Sequence, residues 1–446
     1  MMKSIRAALI VIAVMAFATA ARAELQAGVA TTEITPPVGG KMAGYSARGN
    51  NVSTGVHDPL VAKALVLKDD HDGLVMVTMD IGGFPAESVE RVKKATLEKT
   101  GMNQVMLLPS HTHSGPTGDL EFPTKEKPWI RDAERKIVDA IVKANNSIEP
   151  VKYGVGKGEV VEGHNRRKVG PDGTVEMFWR NPDRVPTSPV DCMLGVIRFE
   201  ALGGELLVTL VNFTCHPVVL GPENLLISAD YPGVMMKVVE AELGGTCMFA
   251  NGACGDINPF MDKTAPADGA YEEMEKMGKA VAAEVIRVSG TIKMHDSSDA
   301  DLTATTETIP LEPRWDITDP KLVDALAKKY GRALVKAYLS RFKLPMEGNL
   351  VTVTLGDDLA IAGLPGEFFV QHGLDLKSRC VIPNTFAFGY CNTTFGYFPT
   401  INAAWEGGYG GKEATIVEVG AGERFVNRAL RNFYYQTGRL KKIPDF

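Results

Sequence analysis

From Leu74 onward, short apolar runs rich in β-branched residues alternate with longer stretches of helical spacing, and this alternation restricts the chain to α/β architectures. Residues 74–80 (LVMVTMD) and 105–109 read as buried strands, and 87–99 and 130–144 as helices. A hairpin is expected from 193–199 and 205–213 across Gly203-Gly204. Further helices are predicted at 231–243, 271–288 and 320–339, and short strands at 248–250, 350–355 and 359–362. The expected fold is therefore a mixed sheet flanked by helices in one large domain spanning residues 24–446. Three stretches rich in Gly, Pro, Asn or aromatics break the pattern, at 39–58, 163–189 and 389–411. Long irregular segments of this kind are the loops that shape a site.

The N-terminus reads differently. Lys3 and Arg6 precede an apolar stretch over 7–18, and Ala21-Arg22-Ala23 follows before Glu24. That is the pattern of a signal peptide over 1–23 with a small-x-small cleavage site, so a bacterial periplasmic or secreted location is expected. The apolar run is shorter than the roughly 20 residues of a membrane span. A formal charge of −6 without a basic cluster argues against nucleic acid as a partner. Six cysteines in an exported chain allow disulfides, with Cys247–Cys254 and Cys380–Cys391 near enough in sequence to pair; buried free thiols are the equal alternative.

There are only eight histidines, and three of them stand where predicted strands stop. One strand runs into Ser110-His111-Thr112-His113, and residues i and i+2 of extended chain face the same way, so both rings can address one point. Another runs into Thr214-Cys215-His216-Pro217, where the proline ends the ladder and leaves His216 in a loop. Glu367, in Leu364-Pro365-Gly366-Glu367-Phe368-Phe369, is a carboxylate among apolar neighbours that would be costly to bury without a positive partner. A metal ion would satisfy it, whereas a favourable place at a helix N-terminus is the plainer account. Tyr397, in Gly396-Tyr397-Phe398-Pro399, reads from its residues alone as a packing aromatic.

SHTHSGP, NFTCHP, FANGACGDINP, LPGEF and GYFPT followed by WEGG occur in the order found in the neutral/alkaline non-lysosomal ceramidase family, which this chain resembles from about Ala27 to Gly411. The resemblance implies a zinc-dependent amide hydrolase acting on an N-acyl sphingoid or related N-acyl lipid, with transient contact at a membrane surface. It implies Zn2+ held by His111, His216, Glu367 and Tyr397, with His113 beside the metal and Arg166 assisting it. Residues 24–446 become the catalytic domain, without the C-terminal immunoglobulin-like domain of larger members. Two departures stand out. Asn258 in Gly255-Asp256-Ile257-Asn258-Pro259 occupies the place of a family serine, and Trp405 that of a second tyrosine. An asparagine amide can donate to an oxyanion but cannot form an acyl intermediate. A different small amide, an ester or a lactone, or a non-catalytic ligand-binding role, are the alternatives these departures open.

Overall fold

The computed structural model describes residues 24–296, 300–316, 318–332, 335, 339 and 345–441. The expected signal peptide and most of the expected helix beyond Tyr330 lie outside the described residues. Eight strands form the larger sheet: β1 (Gln26–Glu33), β2 (Val61–Lys68), β3 (Gly73–Met79), β4 (Gln104–Pro109), β5 (Glu149–Glu159), β6 (Met193–Ala201), β7 (Leu206–Phe213) and β8 (Thr246–Asn251). Their order is β8-β7-β6-β5-β1-β2-β3-β4. The edge pairs β3/β4 and β7/β8 are parallel and the pairs between them antiparallel. This is the mixed sheet expected from the sequence, and the β6/β7 hairpin turns at Gly203-Gly204.

A second sheet was only partly anticipated. Strands β9 (Leu302–Leu311), β10 (Met346–Leu355), β11 (Leu359–Gly363) and β12 (Asn384–Phe388) pair in that order, the last two in parallel. The helices are α1 (Ala86–Thr100), α2 (Trp129–Asn146), α3 (Tyr231–Leu243), α4 (Ala270–Ser289), α5 (Pro320–Tyr330), α6 (Val370–Arg379), α7 (Ile401–Glu406) and α8 (Ala421–Gln436).

Strand alternation assigns the layers. In β2, Leu65 and Leu67 join Met76, Met106, Ile197 and Leu210 in a core shared with Leu302, Val351, Ile361 and Phe386 of the second sheet. Their neighbours Ala64 and Val66 face Val89, Val92, Ile137 and Ile141 of α1 and α2. At the other end Val196, Val211 and Phe249 face Met235, Val239, Val281 and Val285 of α3 and α4. The outer face of the second sheet, with Leu350 and Ala360, packs on Leu376 of α6 and Phe425 and Phe433 of α8. The result is four layers, helix-sheet-sheet-helix. Strands buried on both faces need continuous apolar runs, which is why 74–79 and 104–109 carry them.

All six cysteines are free thiols, so neither conceivable disulfide forms. Cys254 is instead 3.1 Å from the Tyr390 hydroxyl, and Cys247 lies in the core between sheet and helix. No helix among the described residues is long and apolar enough to cross a membrane.

Candidate metal centre

Five strand ends converge. β4 leads to His111 and His113, β7 to His216, β8 to the turn carrying Asp256 and Asn258, β11 to Glu367, and β12 to Tyr390 and then Tyr397. The ring centroids of His111 lie 4.9 Å from His113 and 5.1 Å from His216. The three imidazoles are close enough to share one metal ion.

The meeting of His111 and His113 has a different cause from the extended-chain alternation expected. His111 has φ of +69°, a left-handed conformation uncommon for a residue with a Cβ. The chain therefore turns sharply at His111. Its ring stacks on Tyr390 at 4.2 Å, which fixes the imidazole plane. Backbone strain of this kind concentrates at functional sites.

Hydrogen bonding settles the tautomers. His111 Nδ1 lies 2.6 Å from the Gly82 carbonyl and His216 Nδ1 3.1 Å from the Ile257 carbonyl. A carbonyl oxygen only accepts, so each Nδ1 carries the proton and, in the neutral ring, each Nε2 presents a lone pair. Both lone pairs face one carboxylate oxygen: Glu367 Oε2 is 3.4 Å from His111 Nε2 and 3.2 Å from His216 Nε2. Three acceptor atoms aimed at one another are repulsive unless a cation or a proton lies between them. Ring N–H groups anchored to backbone carbonyls are also how metal-bound histidines are held. Mixed nitrogen and oxygen donors in this number fit a zinc ion.

The charges agree with that geometry. Burial alone would raise the Glu367 carboxyl, and positive charge on His111 and His216 brings it well below the usual carboxylate range, so with neutral rings the carboxylate needs another cation in that place. Burial lowers His216 to about 4, against the pull of Glu367. His113 is likewise pushed well below its ordinary value, first by burial and then by the other two histidines. His113 Nε2 lies 3.3 Å from His111 Nε2, and its Nδ1 is buried without a hydrogen-bond partner. The structure thus draws His113 into the same cluster.

Glu367 and Tyr397 are direct partners in a two-residue parallel bridge. Phe368 stacks on Phe398 at 4.2 Å one residue on, and Phe425 of α8 packs edge-on against both. Burial, then the Glu367 charge, push the Tyr397 phenol well above its ordinary range, and its oxygen accepts from Arg166 Nη2 at 3.1 Å. Arg166 also donates to the Gly255 carbonyl at 2.7 Å and, through Nη1, to Asn258 Oδ1 at 3.1 Å. Asn258 Nδ2 in turn donates to Asp262 Oδ2 at 2.7 Å. The asparagine therefore ties Arg166 to Asp262.

Trp405 does not stand in the place the sequence suggested for it. The residue is 78% exposed and its ring lies over Gly173. Tyr409 sits at the site instead, 5.3 Å from Tyr397 and beside Arg166. Trp179, Tyr390, Tyr409, Asp262 and Lys263 are site neighbours that the motifs did not single out. Their position in or next to the three irregular stretches and the GDINP turn was the available signal.

The fold has close structural counterparts. A neutral ceramidase structure from Pseudomonas aeruginosa superimposes with a TM-score of 0.72 at 19% identity, covering 95% of this chain and 77% of that one. A ceramidase complexed with C2 matches equally, with a TM-score of 0.72 at 18% identity. The family model for neutral/alkaline non-lysosomal ceramidase, N-terminal, matches residues 25–296, more than half of the chain. The chain belongs to that family. In sequence it is 26% identical over 270 residues to the neutral ceramidase of Pseudomonas aeruginosa, covering 56% of this chain and 39% of the relative. It is 27% identical over 295 residues to neutral ceramidase A of Dictyostelium discoideum, covering 57% and 40%. The matches span about two fifths of these curated relatives. His111, His113, Arg166, His216 and Asn258 fall inside the family-model match, whereas Glu367 and Tyr397 lie beyond it.

Proposed function

We infer that the protein is an exported, zinc-dependent hydrolase of N-acyl amides, with the metal held by His111, His216, Glu367 and Tyr397. The observation that carries this reading is that two acceptor atoms, His111 Nε2 and His216 Nε2, both lie within 3.4 Å of a third, Glu367 Oε2. Zinc bound there would polarise the scissile carbonyl and acidify water.

The chain's own residues do the rest. Arg166, fixed by Gly255, Asn258 and Tyr397, places a permanent cation beside the cluster, where it stabilises negative charge developing on the carbonyl oxygen. His113, whose Nε2 lies 3.3 Å from His111 Nε2, hydrogen-bonds the substrate or the leaving nitrogen from beside the metal. Asn258 acts through Arg166, as a positioning residue.

A covalent route finds no nucleophile at Asn258 or at the nearby thiols. Asn258 cannot form an ester, and the Cys254 and Cys215 thiols, both buried, are pushed up by burial and remain protonated. Direct attack by water is the course we infer. The family name and the relatives' names support an N-acyl lipid substrate, and the leader-like sequence pattern over 1–23 supports a periplasmic or secreted site of action.

The test is turnover of a panel of N-acyl amides, esters and lactones by zinc-loaded protein, with and without chelator. Amide cleavage that is lost on chelation and restored by zinc is the expected result. Full zinc occupancy with no cleavage of any member would overturn the reading. Recovery from the periplasm of a chain beginning near Glu24 tests the export.

A further inference from the structure

Arg166 is a buried cation with no carboxylate in hydrogen-bond contact among the described residues. Its guanidinium lies 5.0 Å from the ring centroid of Trp179, 5.5 Å from Tyr397 and 5.4 Å from Tyr409. Its hydrogen bonds go to uncharged acceptors, and Nε is buried with no partner. The Glu367 charge reaches Arg166 without a hydrogen bond, and the oxygens of Asp256 are taken by the Val370 N–H and the Asn165 amide.

Lys263 is a second cation on the same indole, with Nζ 4.2 Å from the Trp179 centroid. Its backbone has φ of +53°, an uncommon conformation for a residue with a Cβ, and its N–H is held by the Val218 carbonyl two residues past His216. The turn that ends in Lys263 thus departs from relaxed geometry beside the metal cluster. Asp262 Oδ2 accepts from Lys263 at 2.5 Å and also from Asn258, while its Oδ1 has no partner. One carboxylate therefore serves a ring of contacts that holds two cations. The Lys263 side chain is 34% exposed and that of Asp262 is fully buried, so Lys263 is the charge that a ligand can reach.

We propose that Lys263, seated on Trp179 beside Arg166, is an anion subsite, and that the amide hydrolysed here carries a carboxylate. The substrate class is an N-acyl amino acid, not a neutral N-acyl sphingoid. This rests on the hydrolase reading, and Lys263 is the specificity-determining residue. A carboxylate arriving there gains a charge-assisted hydrogen bond on a site whose one side is already covered by an indole.

The experiment separates the subsite from the hydrolase reading. Binding is measured by calorimetry on zinc-loaded protein with the uncleavable pair octylsulfonylglycine and octylsulfonylethanolamine. Turnover is measured with N-octanoylglycine and N-octanoylethanolamine. The carboxylate compound is expected to bind at least about tenfold tighter, the preference to fall to near unity in Lys263→Met, and most of it to survive in Lys263→Arg. Trp179→Leu, which removes the shared ring, should also reduce it and serves if Lys263→Met does not fold. Equal binding of the two compounds by the wild type, or a preference untouched by Lys263→Met, overturns the subsite. Carboxylate-selective binding without turnover of either amide upholds the subsite and overturns the hydrolase reading; turnover with no carboxylate preference does the reverse.

Discussion

Glu367 and Tyr397 stand opposite one another in a parallel bridge only two residues long, and the stack of Phe368 on Phe398 continues that pairing into the core. So short a bridge has little stability of its own. Phe425, fully buried against both rings, fastens it to α8. Phe425→Ala should cost about 3–5 kcal/mol, read by urea unfolding, and should weaken zinc binding as well. Unaltered zinc affinity in a folded variant would separate the aromatic stack from the metal centre.

The division of labour between the neighbouring histidines is open to a direct comparison. His113→Ala should keep close to the wild-type zinc content while kcat falls roughly 10²–10⁴-fold, as for loss of a general acid-base group. A loss of zinc equal to that of His111→Ala would make His113 a ligand.

Gly44 offers the same test without touching a site residue. It has φ of +91°, and a Cβ there would lie 2.1 Å from His113 Cγ. Gly44→Ala should therefore displace the imidazole and reproduce the kinetic loss of His113→Ala, with zinc retained. Wild-type turnover in Gly44→Ala would show that the placement of His113 does not matter.

Asn258→Ala should lower kcat by about 10- to 100-fold, the scale of one hydrogen bond to a charged group, with KM little altered because Arg166 loses its anchor. Mass spectra of enzyme quenched during turnover should contain no acyl adduct. A trapped adduct would contradict direct attack by water.

Two buried carboxyls away from the cluster predict a pH effect. Burial raises Asp80 and Asp230 to about 7, despite hydrogen bonds from Val61 to the first and from Leu220 and Tyr231 to the second. Between the unfolded carboxylate value and about 7 the folded chain binds more protons than the unfolded one, so these groups lower stability as pH rises through that window. Asp80→Asn keeps an acceptor for the Val61 N–H and removes the titration. Its melting temperature relative to wild type should climb from about pH 5 to about pH 8. Parallel melting curves across that range would refute the shift at Asp80.

Much of this was legible in the residues. The strands leading to His111 and His216 are buried on both faces, so their apolar runs and their endings were plain. Strand β9 was not, because its sequence LTATTETIPL leaves Thr305, Thr306 and Pro310 exposed and reads as polar chain. Without β9 the second sheet, and hence the four-layer arrangement, could not be inferred. Apolar runs also do not reveal which face meets a helix and which another sheet. The backbone turn at His111 has no signature in residue type. The same holds for Tyr409, whose approach to Tyr397 depends on how the loop after α7 folds back. Order of motifs could rank Trp405 as a site residue, but only the fold exposes it.

The central claim is a zinc ion held by His111, His216, Glu367 and Tyr397, and metal analysis tests it most directly. Protein reconstituted with zinc and desalted should contain about one zinc per chain, with His111→Ala and His216→Ala folded and nearly metal-free. Full zinc occupancy in both variants, or none in the wild type, would contradict it.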